Sequence, residues 1–250
     1  MSVSISTSKA IFLVRLADTA MILGQRLAEL CSRGPYLEED IALSNIGLDC
    51  FGRAEELYKM VAIIEGGKHS ADDYAFLRNE RQFVNLKLVE QPNSDFAWTM
   101  LRQFMHDEYM TAVFSQLLKS NDVELSGLSA KVLKEIRYSR IHAREWLLRL
   151  GLGTEESNRR LQNAVDHLMQ FVPEIFAFDK TDREFLTDCD SITSVWNKEF
   201  NQLLSECNIA LKEQKMVSQR DYREGFHSEH LGELLSIMQT LPRAYPDAKW

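Results

Sequence analysis

The sequence predicts an all-α protein built as a bundle of long antiparallel helices. Three observations point there. Eleven glycines and five prolines in 250 residues are about half the usual share, too few punctuators for a protein of many tight β-turns. The prolines, at 35, 92, 173, 242 and 246, leave three long stretches in which helices can run unbroken. Within those stretches apolar residues recur every three or four positions, the period of one helix face, and no alternating strand pattern of useful length occurs.

The elements follow in order. Leu13, Leu16, Ala20, Leu23, Leu27 and Leu30 form the stripe of a first helix, stopped by Gly34-Pro35. A second follows the acidic triplet Glu38-Glu39-Asp40, which suits the positive end of a helix dipole. It carries Leu43, Ile46, Cys50, Ala54, Leu57, Val61 and Ile64 and ends at Gly66-Gly67. Residues 71–92 are less regular: a short helix over Asp72–Glu80, then a shorter element or loop into Pro92. A third long helix spans about 94–120, with Met100, Phe104, Asp107, Thr111, Phe114 and Leu118 on one stripe. A fourth spans about 125–150, with Leu128, Val132, Glu135, Ser139, His142 and Trp146, and is closed by Gly151 and Gly153. A fifth starts at Thr154 and breaks near Pro173; FDKTDREFLTDCD reads as a polar connection. A sixth runs about 191–207. The last starts at Ser228 and carries Leu231, Leu234, Leu235 and Met238, before Pro242 and Pro246 release a tail ending in Trp250. There is no repeat or linker, so the expectation is one domain over 1–250, roughly three-quarters helical.

Composition narrows the partners. The net charge is −8, so the chain lacks the basic footprint of sequence-independent nucleic-acid binding and is disfavoured at anionic membranes. No apolar run reaches the ~18–20 residues of a membrane helix. Residues 1–23 lack the pattern of a signal peptide, because Arg15 and Asp18 interrupt any apolar core. Cys31, Cys50, Cys189 and Cys207 form no CxxC and read as reduced, mostly buried thiols of a cytoplasmic protein.

The inward faces carry carboxylates. A four-helix bundle can hold two irons with a carboxylate from each of two helices and Glu-x-x-His from the other two. The spacing matters because residues i and i+3 share a helix face. Here the four long helices offer Asp18, Asp49, Asp107 and Glu135, with separations compatible with one carboxylate per helix at similar depth. Three residues after Asp49 stands Gly52, and three after Glu135 stands Tyr138, so both histidines are missing. His142, seven residues beyond Glu135, is about 10.5 Å along the axis and cannot share its metal. The site reads as emptied. Its carboxylates are expected to converge and to be neutralised by Arg15, Arg53 or Lys131, or by shared protons, since an unpaired buried carboxylate is costly. A single weakly held metal is the competing reading.

The segments NIGLD (Asn45 to Asp49), RNERQF (Arg78 to Phe83), LVEQPN (Leu88 to Asn93), KEIRY (Lys134 to Tyr138), HSEHLG (His227 to Gly232) and the terminal Trp250 resemble the structural subunits of bacterial phenylacetyl-CoA epoxidases, the PaaC family. The resemblance covers about residues 9–250. It implies a ferritin-like bundle with extra C-terminal helices, without a catalytic or cofactor-binding residue of its own. It also implies a homologous catalytic subunit that carries the di-iron centre, and an NADPH-dependent iron–sulfur flavoprotein reductase. The complex adds one oxygen atom across the ring of phenylacetyl-CoA in phenylacetate degradation. The gaps at Gly52 and Tyr138 agree with a non-catalytic role. They weigh against the alternatives, a self-sufficient metal-binding enzyme or an iron-storage-type protein, which need an intact site. Without its partner the chain is expected to self-pair as a homodimer.

Two further motifs stand apart. In HSEHLG, His227 and His230 lie three apart with Glu229 and Glu233 nearby. The readings are a metal site, or a helix start with Ser228 as N-cap that docks the last helix or meets a partner. In RNERQF and LVEQPN, the residues Arg78, Glu80, Arg81 and Glu90 gather around Phe83 and Leu86 as either a partner-binding corner or a self-satisfied loop network. His106 and Glu108 flank Asp107 but are expected on different faces of their helix. His69 reads as a solvated loop residue and His167 as an ordinary helix histidine. There is no Gly-rich phosphate loop, GxSxG or HExxH.

Overall fold

A computed structural model describes residues 3, 5–212, 221–245 and 248. Among them the α-helices are α1 (Ser8–Ala28), α2 (Leu37–Ile64), α3 (Ala71–Phe76), α4 (Lys87–Glu90), α5 (Phe96–Leu117), α6 (Val123–Gly151), α7 (Glu155–Leu168), α8 (Val172–Ile175), α9 (Lys180–Phe185), α10 (Cys189–Glu206), α11 (Glu229–Met238) and α12 (Thr240–Ala244). The fold class is the one expected: all-α, 75% helical, without a strand among the described residues, and fitting the ferritin-like class. Residues form two compact units, Met1–Pro92 with Arg220–Trp250 and Asn93–Gln219.

The first unit is organised around the antiparallel hairpin α1–α2. The Thr7 hydroxyl caps α1 by accepting from Ala10 N. Helix α1 is buried on nearly all sides, Arg15, Asp18 and Thr19 included, which marks a helix inside a core rather than on one. The acidic triplet lies in the first turn of α2 instead of before it. Gly66 and Gly67, with φ of +87° and +69°, end α2 where a side chain would be strained. There Glu65 accepts from the backbone and hydroxyls of Ser6 and Thr7 at 2.9–3.1 Å. This joins the end of α2 to the start of α1. The hairpin is tightest at Gly24, where a Cβ would lie 2.8 Å from the Phe51 ring.

The second unit is built on the hairpin α5–α6, with α7 and α10 packed on it. Its N-caps are side chains that satisfy orphan N–H groups: Asp95 for α5, Asp122 for α6, Thr154 for α7 and Asp188 for α10. Buried Trp196 of α10 donates its indole N–H to Met105 O of α5 at 2.9 Å, stacks on Phe200 and meets Phe176 edge-on.

Three local expectations are corrected. The supposed polar connection FDKTDREFLTDCD contains α9, because Asp179 and Asp182 form a reciprocal capping box. Asp72–Glu80 is shorter, a capped α3 from Ala71 to Phe76 followed by a 3-10 turn at Glu80–Gln82. Pro242 sits inside the first turn of α12, where its missing N–H would be unpaired anyway. Pro246 and Trp250 lie outside the described residues. Cys50, Cys189 and Cys207 are buried and Cys31 is exposed, and none of the four forms a disulfide.

Gly24 and Gly52 both stand inside long helices, yet they should respond oppositely to a side chain. Gly24→Val meets the Phe51 ring and should cost about 1–3 kcal/mol. Gly52→Ala, whose Cβ meets nothing within 4 Å, should gain about 0.5–1 kcal/mol from helix propensity. Urea unfolding of both variants checks the contrast.

Candidate functional site

In the first unit Asp18 of α1 is buried beneath the loop that follows α3. Its Oδ1 accepts from the Tyr58 hydroxyl at 2.6 Å and from Arg78 Nη2; its Oδ2 accepts from Arg78 Nη1 at 3.1 Å and from Val84 N at 2.8 Å. A carboxylate has about four acceptor positions, and all are taken by protein donors. Arg78 also donates to Tyr74 O and Gln82 O, and its guanidinium lies 4.3 Å from the centre of the Phe83 ring. Burial alone would lower the Arg78 pKa, but Asp18 and Tyr58 outweigh it and raise it. Burial, and then the Asp18 charge, push the Tyr58 hydroxyl well above the usual phenol value, so it stays a donor.

The second carboxylate of this network is Glu90 of α4. Its Oε1 accepts from Asn85 Nδ2 at 2.9 Å and His227 Nδ1 at 2.5 Å; its Oε2 accepts from Ser228 N at 2.7 Å and Ser228 Oγ at 2.6 Å. Again four positions are filled. The other His227 nitrogen, Nε2, lies 2.8 Å from Phe83 O. Both neighbours of the ring accept only, so both nitrogens donate and the ring is an imidazolium. Burial opposes that charge, but the Glu90 contact and the Phe83 carbonyl outweigh it and raise the His227 pKa. Both side chains are fully buried. Around them Arg26 donates to Glu90 O at 2.6 and 2.9 Å and to His230 O at 3.3 Å. Gly225, at φ +74°, lets the chain pass Arg81 O, with which a Cβ would collide.

The sequence-predicted residues divide accordingly. Arg78 and Glu90 are core members of the network, so RNERQF and LVEQPN form a self-satisfied junction there, while Glu80 and Arg81 are exposed. His227 anchors the C-terminal segment, with no ring lone pair free for a metal. His230 is part-exposed and 3.9 Å from exposed Glu229. Ser228 stands at the N-cap of α11, but its hydroxyl serves Glu90 instead of the helix.

Asp18 and Asp49 do not share a depth. Asp18 is level with Tyr58, nine residues and about 13 Å along α2 from Asp49. Antiparallel pairing fixed by a short loop decides this register, and spacing along the chain does not reveal it. The cation on Asp18 is Arg78 rather than Arg15. Asp49 is half-buried, and no ion pair joins it to buried Arg53 among the described residues. Gly52 supplies no donor atom.

In the second unit Asp107 of α5 accepts from Gln103 Nε2 and His106 Nδ1, both at 2.9 Å, and from Ser139 Oγ of α6 at 2.6 Å. The expectation that His106 points away is corrected: its ring turns back onto its neighbour's carboxylate. Glu135 is partly covered and keeps the anticipated Lys131 four residues earlier, at 3.8 Å. Tyr138 is exposed and stacks beside His142. Sequence reasoning named Glu108 only as a neighbour of Asp107 and gave it no role. Its side chain is 3% exposed with Arg140 Nη1 at 3.4 Å. Burial first, against Arg140 and aided by Glu199 and Asp107, raises its pKa to about 7. A charged residue adjoining the Asp107 stripe was the available signal.

The chain matches the phenylacetic acid catabolic protein family over residues 2–250. It belongs to that family. The C subunit of 1,2-phenylacetyl-CoA epoxidase from Escherichia coli (strain K12) is 38% identical over 244 residues, 96% of this chain and 98% of the relative. The donor set of the chain does not fit an iron pair at the degenerate positions: Asp18 is saturated, Asp49 lies at another level of its hairpin, Gly52 has no ligand atom and Tyr138 faces out. Among the described residues no helix is long and apolar enough to cross a membrane.

Two pH dependences follow. His227 has a raised folded pKa, so its contribution is full below its unfolded pKa of about 6.5 and is lost as pH rises through the folded value. His227→Gln should cost about 3–5 kcal/mol at pH 6, and the cost should shrink toward pH 9 in urea titrations. Glu108 also has a raised folded pKa, so it favours the folded state below about 4.5 and penalises it above about 7. Glu108→Gln should therefore be about 1–3 kcal/mol more stable than the parent at pH 8.5 and not at pH 4.

Proposed function

We propose that the chain is a non-catalytic structural subunit of a multicomponent di-iron monooxygenase that epoxidises the ring of phenylacetyl-CoA in phenylacetate degradation. The observation that carries the reading is the saturation of two buried carboxylates of the first unit, Asp18 and Glu90. Every acceptor position of Asp18 and Glu90 is filled by protein donors. An oxygen-activating metal needs carboxylates with free lone pairs and an open coordination position. Here those lone pairs hold Arg78, Tyr58, His227 and Ser228 in place. Membership of the family and similarity to the C subunit of an epoxidase support the reaction and the substrate.

In this reading the iron pair belongs to a homologous catalytic subunit, and the chain supplies a rigid cytoplasmic scaffold for it. Oxygen chemistry, acyl-CoA turnover and electron delivery take place in the other components. The chain's residues contribute by holding the helical hairpins in a fixed register, on which a partner's active-site helices can be positioned.

Reconstitution tests this. The catalytic subunit with its reductase should give little turnover of phenylacetyl-CoA until this chain is added, and the purified chain should bind far less than one iron per molecule by elemental analysis. Full turnover without the chain, or two irons per chain with oxygenase activity, would refute the proposal.

A further inference from the structure

Helix α2 carries an apolar stripe that the fold leaves uncovered. Leu37, Ile41, Leu48 and Ile63 are 71%, 52%, 64% and 70% exposed. At 100° per residue Leu37, Ile41 and Leu48 fall within about 40° of arc, over about 17 Å of helix, and Ile63 follows on the same side past the exposed Glu55 and Lys59. Gly52 lies on the same side, where a Cβ would meet nothing within 4 Å. With Tyr36 at the N-cap, also 65% exposed, the stretch to Leu48 presents roughly 400 Å² of apolar side chain. That is a large share of the about 800 Å² each partner contributes to a standard interface, and more than isolated surface residues need.

The charges beside the stripe select its occupant. Glu38 and Asp40 flank its first turn, one on each side. Beyond Gly52, Glu55 and Lys59 stand on the line of the stripe and Glu56 beside it, with Lys59 Nζ 2.6 Å from Glu55 and 3.6 Å from Glu56. If two copies paired α2 on α2 in parallel, triplet would meet triplet. In an antiparallel pair centred near Gly47, Glu38 would meet Glu56 on the same flank. Either arrangement sets acid against acid, in a chain whose net charge is already −8. A partner with lysine or arginine beside an apolar helix face removes the conflict and gains complementarity.

On the basis of the structural-subunit reading, we infer that the outer face of α2 is the docking surface for the oxygenase subunit. That subunit offers an apolar helix face flanked by basic residues. Gly52 and the small side chain of Ser44 let the two helix backbones approach closely.

The test uses the full chain and the oxygenase subunit, with binding measured by calorimetry and co-elution at micromolar concentration. The parent should bind, more weakly as salt rises. The double variant Ile41→Glu/Leu48→Glu should lose affinity at least a hundredfold while its circular dichroism and melting as a lone chain match the parent's. Should that variant misfold, Gly52→Arg decides, since the site has room for the side chain in the lone protein; it should lose binding likewise. Parent binding that neither variant weakens would overturn this inference and leave the structural-subunit reading standing. No binding by the parent would overturn both. A parent that binds only itself, and whose dimer Leu48→Glu splits, would overturn the choice of occupant.

Discussion

Two buried carboxylates organise the first unit, and each depends on partners far away in the chain. Asp18 holds Arg78, sixty residues on, together with Tyr58 and the backbone of Val84. Glu90 holds His227 and Ser228, more than 130 residues on. Removing one member of such a pair strands the other charge without water, which is why buried pairs are costly to break even where they add little net stability. What they supply is position. The irregular stretch between α3 and α4 has few apolar anchors of regular period, and its path is set by carboxylates that accept from its N–H groups and from Arg78. The C-terminal segment is then seated on that stretch through His227, with Gln239 and Arg243 donating to the carbonyls of Ala75, Phe76 and Arg78.

The second unit uses polar groups differently. Asp107 is satisfied from its own helix and from Ser139, so it pins α6 against α5. Glu108, next to it, is buried with a long contact to a half-exposed Arg140 and carries the cost as a raised pKa. Its neighbours Asp107 and Glu199 add to that cost.

The same helices therefore serve two surfaces. Inside the first unit the carboxylates of α1 and α4 act as fasteners, to which α2 contributes Tyr58, while the outer face of α2 keeps large aliphatic groups in water. Fastened hairpins hold their register, and an uncovered stripe has a shape that a partner can rely on.

The helices were legible because each is written in a local code: three- and four-residue apolar spacing, capping side chains such as Thr154 and Asp95, and the Gly66-Gly67 stop. The absence of histidine at Gly52 and Tyr138 was equally plain, and so was the family, because its motifs are contiguous. The pairing of the carboxylates was not. Asp18 selects Arg78 over the nearer Arg15, and Glu90 selects His227, because tertiary burial excludes water from one pair of groups and not from another. Asp49 lies off the level of Asp18 because hairpin register depends on how two faces interlock at Gly24, a contact with no signature in spacing. Residue order determined where the helices run and which ligands are missing. Only the folded chain decided which charges meet, since an ion pair is chosen by distance and desolvation in space and not by separation along the sequence.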